Sequence, residues 1–157
     1  MTPTPLLAAL ALLLTSALVS LADPPNPWMG TWKLNEAKSK LSPGAVKNTK
    51  VVYSPQDKVM IQIMTEGVDK DGNAIRSVWT GKFDERDYLV SLDEMVDTRS
   101  YKQIDANTLE FIAKKESQVI ATGRVVLSAD GKIRTVTTTG TDKDGKKFEN
   151  ISVYEKQ

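Results

Sequence analysis

Short runs of β-branched and apolar residues recur about every ten residues from position 31 to the end of this 157-residue chain, each closed off by Gly, Pro, Asp, Asn or Ser. That rhythm constrains the fold more than any other feature, because short strands at such spacing build antiparallel sandwiches or barrels. Strand candidates are residues 31–34, 49–54, 59–66, 74–83, 88–92, 98–104, 108–114, 118–128, 132–140 and 148–156. Eight to ten strands suffice to close an up-and-down barrel with room for a ligand. The one helical hint is 35–41, where Asn35 can cap and Glu36 precedes Lys40 by one turn before Pro43-Gly44 stops the segment.

The leading residues read differently. Residues 6–22 are apolar apart from Thr15, Ser16 and Ser20, are short for a membrane span and end on small residues. The expectation is a cleaved secretory signal over 1–22, a Pro-rich spacer over 23–27 and one domain over 28–157. Residues 1–5 carry no Lys or Arg, which keeps an uncleaved amino-terminal anchor as the alternative. There is no Cys. An exported domain without disulfides depends on its core and on sheet closure, a pattern that points to a periplasmic or secreted bacterial-type protein. A net charge of +1 and the absence of a basic stripe interleaved with aromatics argue against nucleic acid. Lys33, Lys38, Lys40, Lys47 and Lys50 form the densest basic stretch, a solvated face in the first instance and a surface for transient membrane contact in the second.

Enzyme chemistry has little to work with. Without His or Cys the chain cannot build a Ser-His-Asp triad, a Cys-His pair or the common zinc sites, and no cofactor is expected. The carboxylates Asp84, Glu85, Asp87, Asp93 and Glu94 fall in turn-like segments with no partner acid beside them. Gly67-Val68-Asp69-Lys70-Asp71-Gly72 is echoed by Gly140-Thr141-Asp142-Lys143-Asp144-Gly145. A calcium loop needs Gly sixth and Glu twelfth; neither segment has them, so both read as hairpin turns and no metal is expected.

Alternation nominates inward faces. Phe148, Asn150, Ser152 and Tyr154 share one; Val119, Ala121, Gly123, Val125 and Leu127 another; Leu109, Phe111 and Ala113 a third; Ile75, Ser77, Trp79, Gly81 and Phe83 a fourth. Trp79 is core or pocket wall.

Gly30-Thr31-Trp32-Lys33-Leu34 and Val153-Tyr154-Glu155-Lys156 resemble the first and last strands of the calycin group, the lipocalin and fatty-acid-binding-protein β-barrels. The resemblance implies that these two strands meet to close the barrel, that Gly30 and Trp32 are structural, and that a basic side chain, Arg124 or Arg134, lies across Trp32. In fatty-acid-binding proteins the last strand also carries an Arg-x-Tyr pair that holds a carboxylate. Tyr154 matches the Tyr, and the Arg position is Ser152. With no positive charge among Tyr154, Ser152 and Asn150, a neutral or polar ligand fits those residues better. The expectation is an extracytoplasmic, monomeric, lipocalin-like all-β barrel binding a small hydrophobic or amphipathic ligand through Tyr154, Ser152, Asn150, Trp79 and Phe111. The alternative is a barrel filled by its own side chains that acts as an interaction module.

Overall fold

Ten antiparallel strands close into one barrel in a computed structural model that describes residues 25–142 and 144–157. They are β1 (Gly30–Leu34), β2 (Lys47–Pro55), β3 (Ile61–Val68), β4 (Ala74–Gly81), β5 (Tyr88–Ser91), β6 (Thr98–Asp105), β7 (Thr108–Lys115), β8 (Gln118–Leu127), β9 (Ile133–Thr141) and β10 (Lys147–Lys156). Each pairs with its neighbour in the chain, and β1 pairs with β10 to complete the circle. Closure removes the exposed sheet edges that an open sheet would have to protect. The expected meeting of first and last strands is present, with Trp32 opposite Lys156 and Leu34 opposite Tyr154. The segment read as a secretory signal, 1–22, lies outside the described residues.

Where a short helix was expected, only the 3₁₀ turn Glu36–Lys38 forms. The Asn35 side chain accepts a hydrogen bond from the Lys38 amide as a cap should, but the Ser39 amide turns back to the Glu36 carbonyl and ends the turn at once. Pairing resumes at Lys40, whose backbone exchanges hydrogen bonds with Ile151 of β10. The insert is thus an excursion between β1 and its continuation along the sheet, not a lid.

Both Asp-x-Asp-Gly segments are hairpin turns. Asp69 Oδ1 accepts from the amides of Asp71 at 2.8 Å and Asn73 at 2.9 Å, and Asp142 Oδ1 accepts from Asp144 at 3.0 Å and Lys146 at 2.9 Å. Gly72 and Gly145 supply the positive φ, 83° and 78°, that such turns demand. These turns set the register of everything that follows: in β9–β10, counting outward from Thr141 opposite Lys147 brings Arg134 opposite Tyr154.

Register also assigns the interior. Trp32, Val51, Ile63, Trp79, Val90, Leu109, Val125 and Val136 occupy one connected core. At one end Trp28 folds under the barrel, its carbonyl accepting from Trp32 Nε1 at 3.1 Å. The ring across which a late basic residue was expected is covered by Lys156, whose Nζ lies 5.0 Å from the Trp32 ring centre and donates to the Pro27 carbonyl. Arg124 instead points outward to Glu110, and Arg134 lies elsewhere inside. The proposed face of β8 holds for Ala121, Gly123 and Val125, which oppose Ala113, Phe111 and Leu109 of β7, and for the buried Leu127. Val119 departs from it. A register shift between Ala113 and Lys114 turns this end of β8, and Val119 is 57% exposed.

Candidate binding site

The interior is built around a string of aromatic rings. It runs from Trp28 to Phe83 (6.4 Å between centres), Phe83 to Trp79 (6.2 Å), Trp79 to Tyr101 (4.8 Å) and Tyr101 to Phe111 (5.8 Å). Offset and edge contacts of this kind add attraction beyond the area they bury. Trp79, left open between core and pocket wall, is core: it is 1% exposed and its indole N–H donates to the Arg99 carbonyl at 2.8 Å. It has no donor left for a ligand. Phe111 packs over Gly123, the residue opposite it on β8, where a side chain would meet the ring.

Two arginines stand among these rings. Arg134 is 5% exposed, and its guanidinium lies 4.7 Å from the centre of the Tyr154 ring and 5.1 Å from that of Tyr53. Arg99 lies over Phe111 at 5.6 Å. Ring faces attract cations but leave the N–H groups unsatisfied, so a guanidinium between two tyrosines still needs acceptors. Arg134 Nε and Nη1, Arg99 Nε and Tyr53 Oη are all buried and have no hydrogen-bond partner in the protein. Arg134 stands beside Tyr53 and Tyr154, and Arg99 beside Phe111. Burial pushes the Tyr53 hydroxyl well above its ordinary range, and the positive charges of Arg134 and Arg99 pull it back down, Arg134 also by an approach to the oxygen that falls short of a well-formed hydrogen bond. The Tyr154 hydroxyl is likewise raised by burial and lowered by Arg134 and by the nearby Ser152 side chain. Both hydroxyls remain protonated and available as donors.

Of the residues nominated from sequence, Tyr154, Ser152 and Phe111 fall within this cluster. Asn150 shares their face, but its side-chain oxygen accepts from the Ser42 amide at 2.7 Å and so fastens the segment after the 3₁₀ turn. The reasoning that no positive charge accompanies Tyr154 is overturned: Arg134 reaches it from the neighbouring strand, directly opposite in register. Arg99 and Tyr53 were not nominated, and Arg134 was expected only across the Trp32 ring. Hairpin register counted from the Asp142 turn would have found Arg134; Arg99 and Tyr53 depend on contacts across the barrel that no local pattern records.

A hollow of about 550 Å³ lies on the outer surface of β6 to β9. Its charged side chains are already matched, Glu110 with Arg124 and Lys102 with Glu85.

No protein-family model and no curated protein matches the sequence. Among solved structures, EF1p2_mFAP2b bound to DFHBI is 14% identical, with 83% of this chain and 94% of that one covered and a TM-score of 0.47. A redesigned β-barrel, mFAP1, bound to DFHBI is also 14% identical, covering 83% and 95%, with a TM-score of 0.42.

Proposed function

We propose that this protein is a calycin-like carrier that binds a small amphipathic molecule inside its barrel, outside the cytoplasm, as a monomer and without catalysis. One observation carries the reading: buried donors on Arg134, Arg99 and Tyr53 that the protein itself leaves without acceptors. A buried donor with no partner costs about 1–3 kcal/mol, so a fold that keeps several together gains by binding something that accepts from them. The surrounding rings of Tyr53, Tyr154, Phe111 and Tyr101 supply the apolar walls such a molecule needs. Export follows from the leading apolar residues, and the balanced charge supports the absence of nucleic acid from its partners.

Native mass spectrometry of the mature protein, before and after extraction with organic solvent, tests this. The expected result is a small-molecule adduct lost on extraction, with displacement by added amphiphiles. Mature protein that carries no adduct and takes up no amphiphile would favour the filled-barrel reading, to which the packed string from Trp28 to Tyr101 lends weight.

A further inference from the structure

We propose that Arg134 binds one small monovalent anion, a halide, inside the barrel, as the counter-ion that the chain itself does not supply. The site stands whether or not a larger ligand also enters the barrel, so it goes beyond the carrier reading.

Strand register fixes what surrounds this side chain. Its direct partners across the two ladders are Tyr154 on β10 and Leu127 on β8, and the next residues on the same face are Ser152 and Val136. Tyr53 of β2 stands across from it, with its ring centre 5.1 Å from the guanidinium. None of these is acidic. The carboxylates nearest in the sheet are committed elsewhere: Glu155 to Lys38 and Asn35 on the outer side, and Asp130 to the Ser128 hydroxyl and the Lys132 amide of its own turn. Asp97 is held by Lys115 and the Glu116 amide beside the β7–β8 turn, at the opposite end of β8 from the turn that leads to Arg134. Among the described residues no carboxylate pairs with Arg134. A cation only 5% exposed therefore meets two ring faces and no counter-charge.

One buried charge calls for one opposite charge, and hydrogen bonds to water alone would leave the charge itself uncompensated. Ring faces attract the guanidinium but accept no in-plane hydrogen bond, so Nε and Nη1 remain as free donors. The hydroxyl of Tyr53, on one of the two rings that the guanidinium covers, is unpartnered as well. A halide accepts from any direction, which suits donors spread over two side chains, whereas sulfate or phosphate would bring a second negative charge with no second cation in contact with Arg134 to match it. Size points the same way. A water-sized sphere still touches Arg134 and Tyr154, over 5% and 3% of their surfaces, and a halide is little larger than a water, whose share of volume is about 30 Å³.

The test follows thermal melting of the mature protein, dialysed free of halide, as sodium bromide replaces sodium gluconate. Gluconate is monovalent but too bulky for the site, so ionic strength and screening stay fixed while the available anion changes. Between about 1 and 100 mM bromide the melting temperature should rise saturably by at least about 3 °C, and Arg134→Met should abolish the rise. Crystals grown in bromide and measured at the bromine absorption edge should show an ion within hydrogen-bond reach of Arg134 Nε or Nη1. Acetate acting as bromide does would support the anion site and extend it to small carboxylates. An equal rise in Arg134→Met, or bromide found on the outer surface alone, would mean an adventitious ion only and would overturn the proposal. So would a folded barrel with neither a rise nor an interior bromide; an amphiphile adduct in the native mass spectrum of that same protein would leave the carrier reading intact. Because the diffraction experiment uses the unaltered protein, it decides the matter even if the Arg134 variant does not fold.

Discussion

Replacing Arg134 with Met gives the sharpest test of whether this side chain serves binding or stability. The ligand-free protein holds the guanidinium 5% exposed with Nε and Nη1 unpartnered. At about 1–3 kcal/mol for each unsatisfied position, the burden is about 2–6 kcal/mol. The faces of Tyr53 and Tyr154, at 5.1 and 4.7 Å, return about 0.5–2 kcal/mol each. Methionine is shorter and forfeits roughly 1 kcal/mol of packing. At the middle of these ranges the terms nearly cancel, so Arg134→Met should be close to neutral in stripped protein, within about 2 kcal/mol either way, as buried charges replaced by apolar groups often are. Urea unfolding after solvent extraction measures it: the midpoint should stay close to the parent's with an unchanged slope, and the melting temperature should move by no more than roughly 3–5 °C per kcal/mol of that small change. The same variant should lose its ligand. A destabilisation beyond about 2 kcal/mol with the slope unchanged would refute the reasoning, because it would mean that Arg134 is a satisfied part of the core.

Gly81 is wedged between Trp79 and Tyr88, where an added Cβ would stand 2.6 Å from the Tyr88 ring, so Gly81→Ala should cost about 1–3 kcal/mol in the urea midpoint; a neutral result would show that the rings can part. The raised Tyr53 and Tyr154 predict alkaline sensitivity. An unfolded tyrosine titrates near 10.0, so their contribution to stability is complete below that pH and is lost above it, as the unfolded chain releases protons that the fold retains. Tyrosinate absorbance of these two should appear together with loss of the near-ultraviolet circular dichroism, and its appearance in a folded barrel would contradict their burial. Calcium at millimolar concentration should leave the melting temperature unchanged, because Asp69 and Asp142 already accept from their own turn amides; a saturable rise abolished by Asp69→Ala would reverse the turn reading.

Much of the fold could be read locally because each strand and turn carries its own signal. The Asp-Gly turns announce themselves through residue types that tolerate positive φ, and period-two alternation assigned the inward faces of β4, β7 and β10. Prediction failed at 35–41 because charge spacing favoured a helix while the β10 edge offered Lys40 and Ser39 better partners. It failed at Val119 because one irregularity in the β7–β8 ladder reverses a face without changing the sequence pattern. The site was half legible. Tyr154 and Ser152 stood out by position on the last strand, but the cation on β9 and the tyrosine on β2 come together only once the sheet has closed.

The arrangement of Arg134 and Ser152 explains why comparison by position alone misleads here. Ser152 occupies the place where an arginine would stand two residues before the final-strand tyrosine, and its absence there suggests a neutral interior. Yet Arg134 is directly across the hairpin from Tyr154, so a charge missing from β10 is supplied by β9 to the same tyrosine ring. A sheet permits this exchange because cross-strand partners present side chains to the same face about as closely as neighbours on one strand do. The aromatic string and the Trp28 plug meanwhile stabilise the barrel without disulfides. A barrel stabilised in that way can retain Arg134 with two N–H groups unpartnered, the local conflict on which the proposed binding role rests.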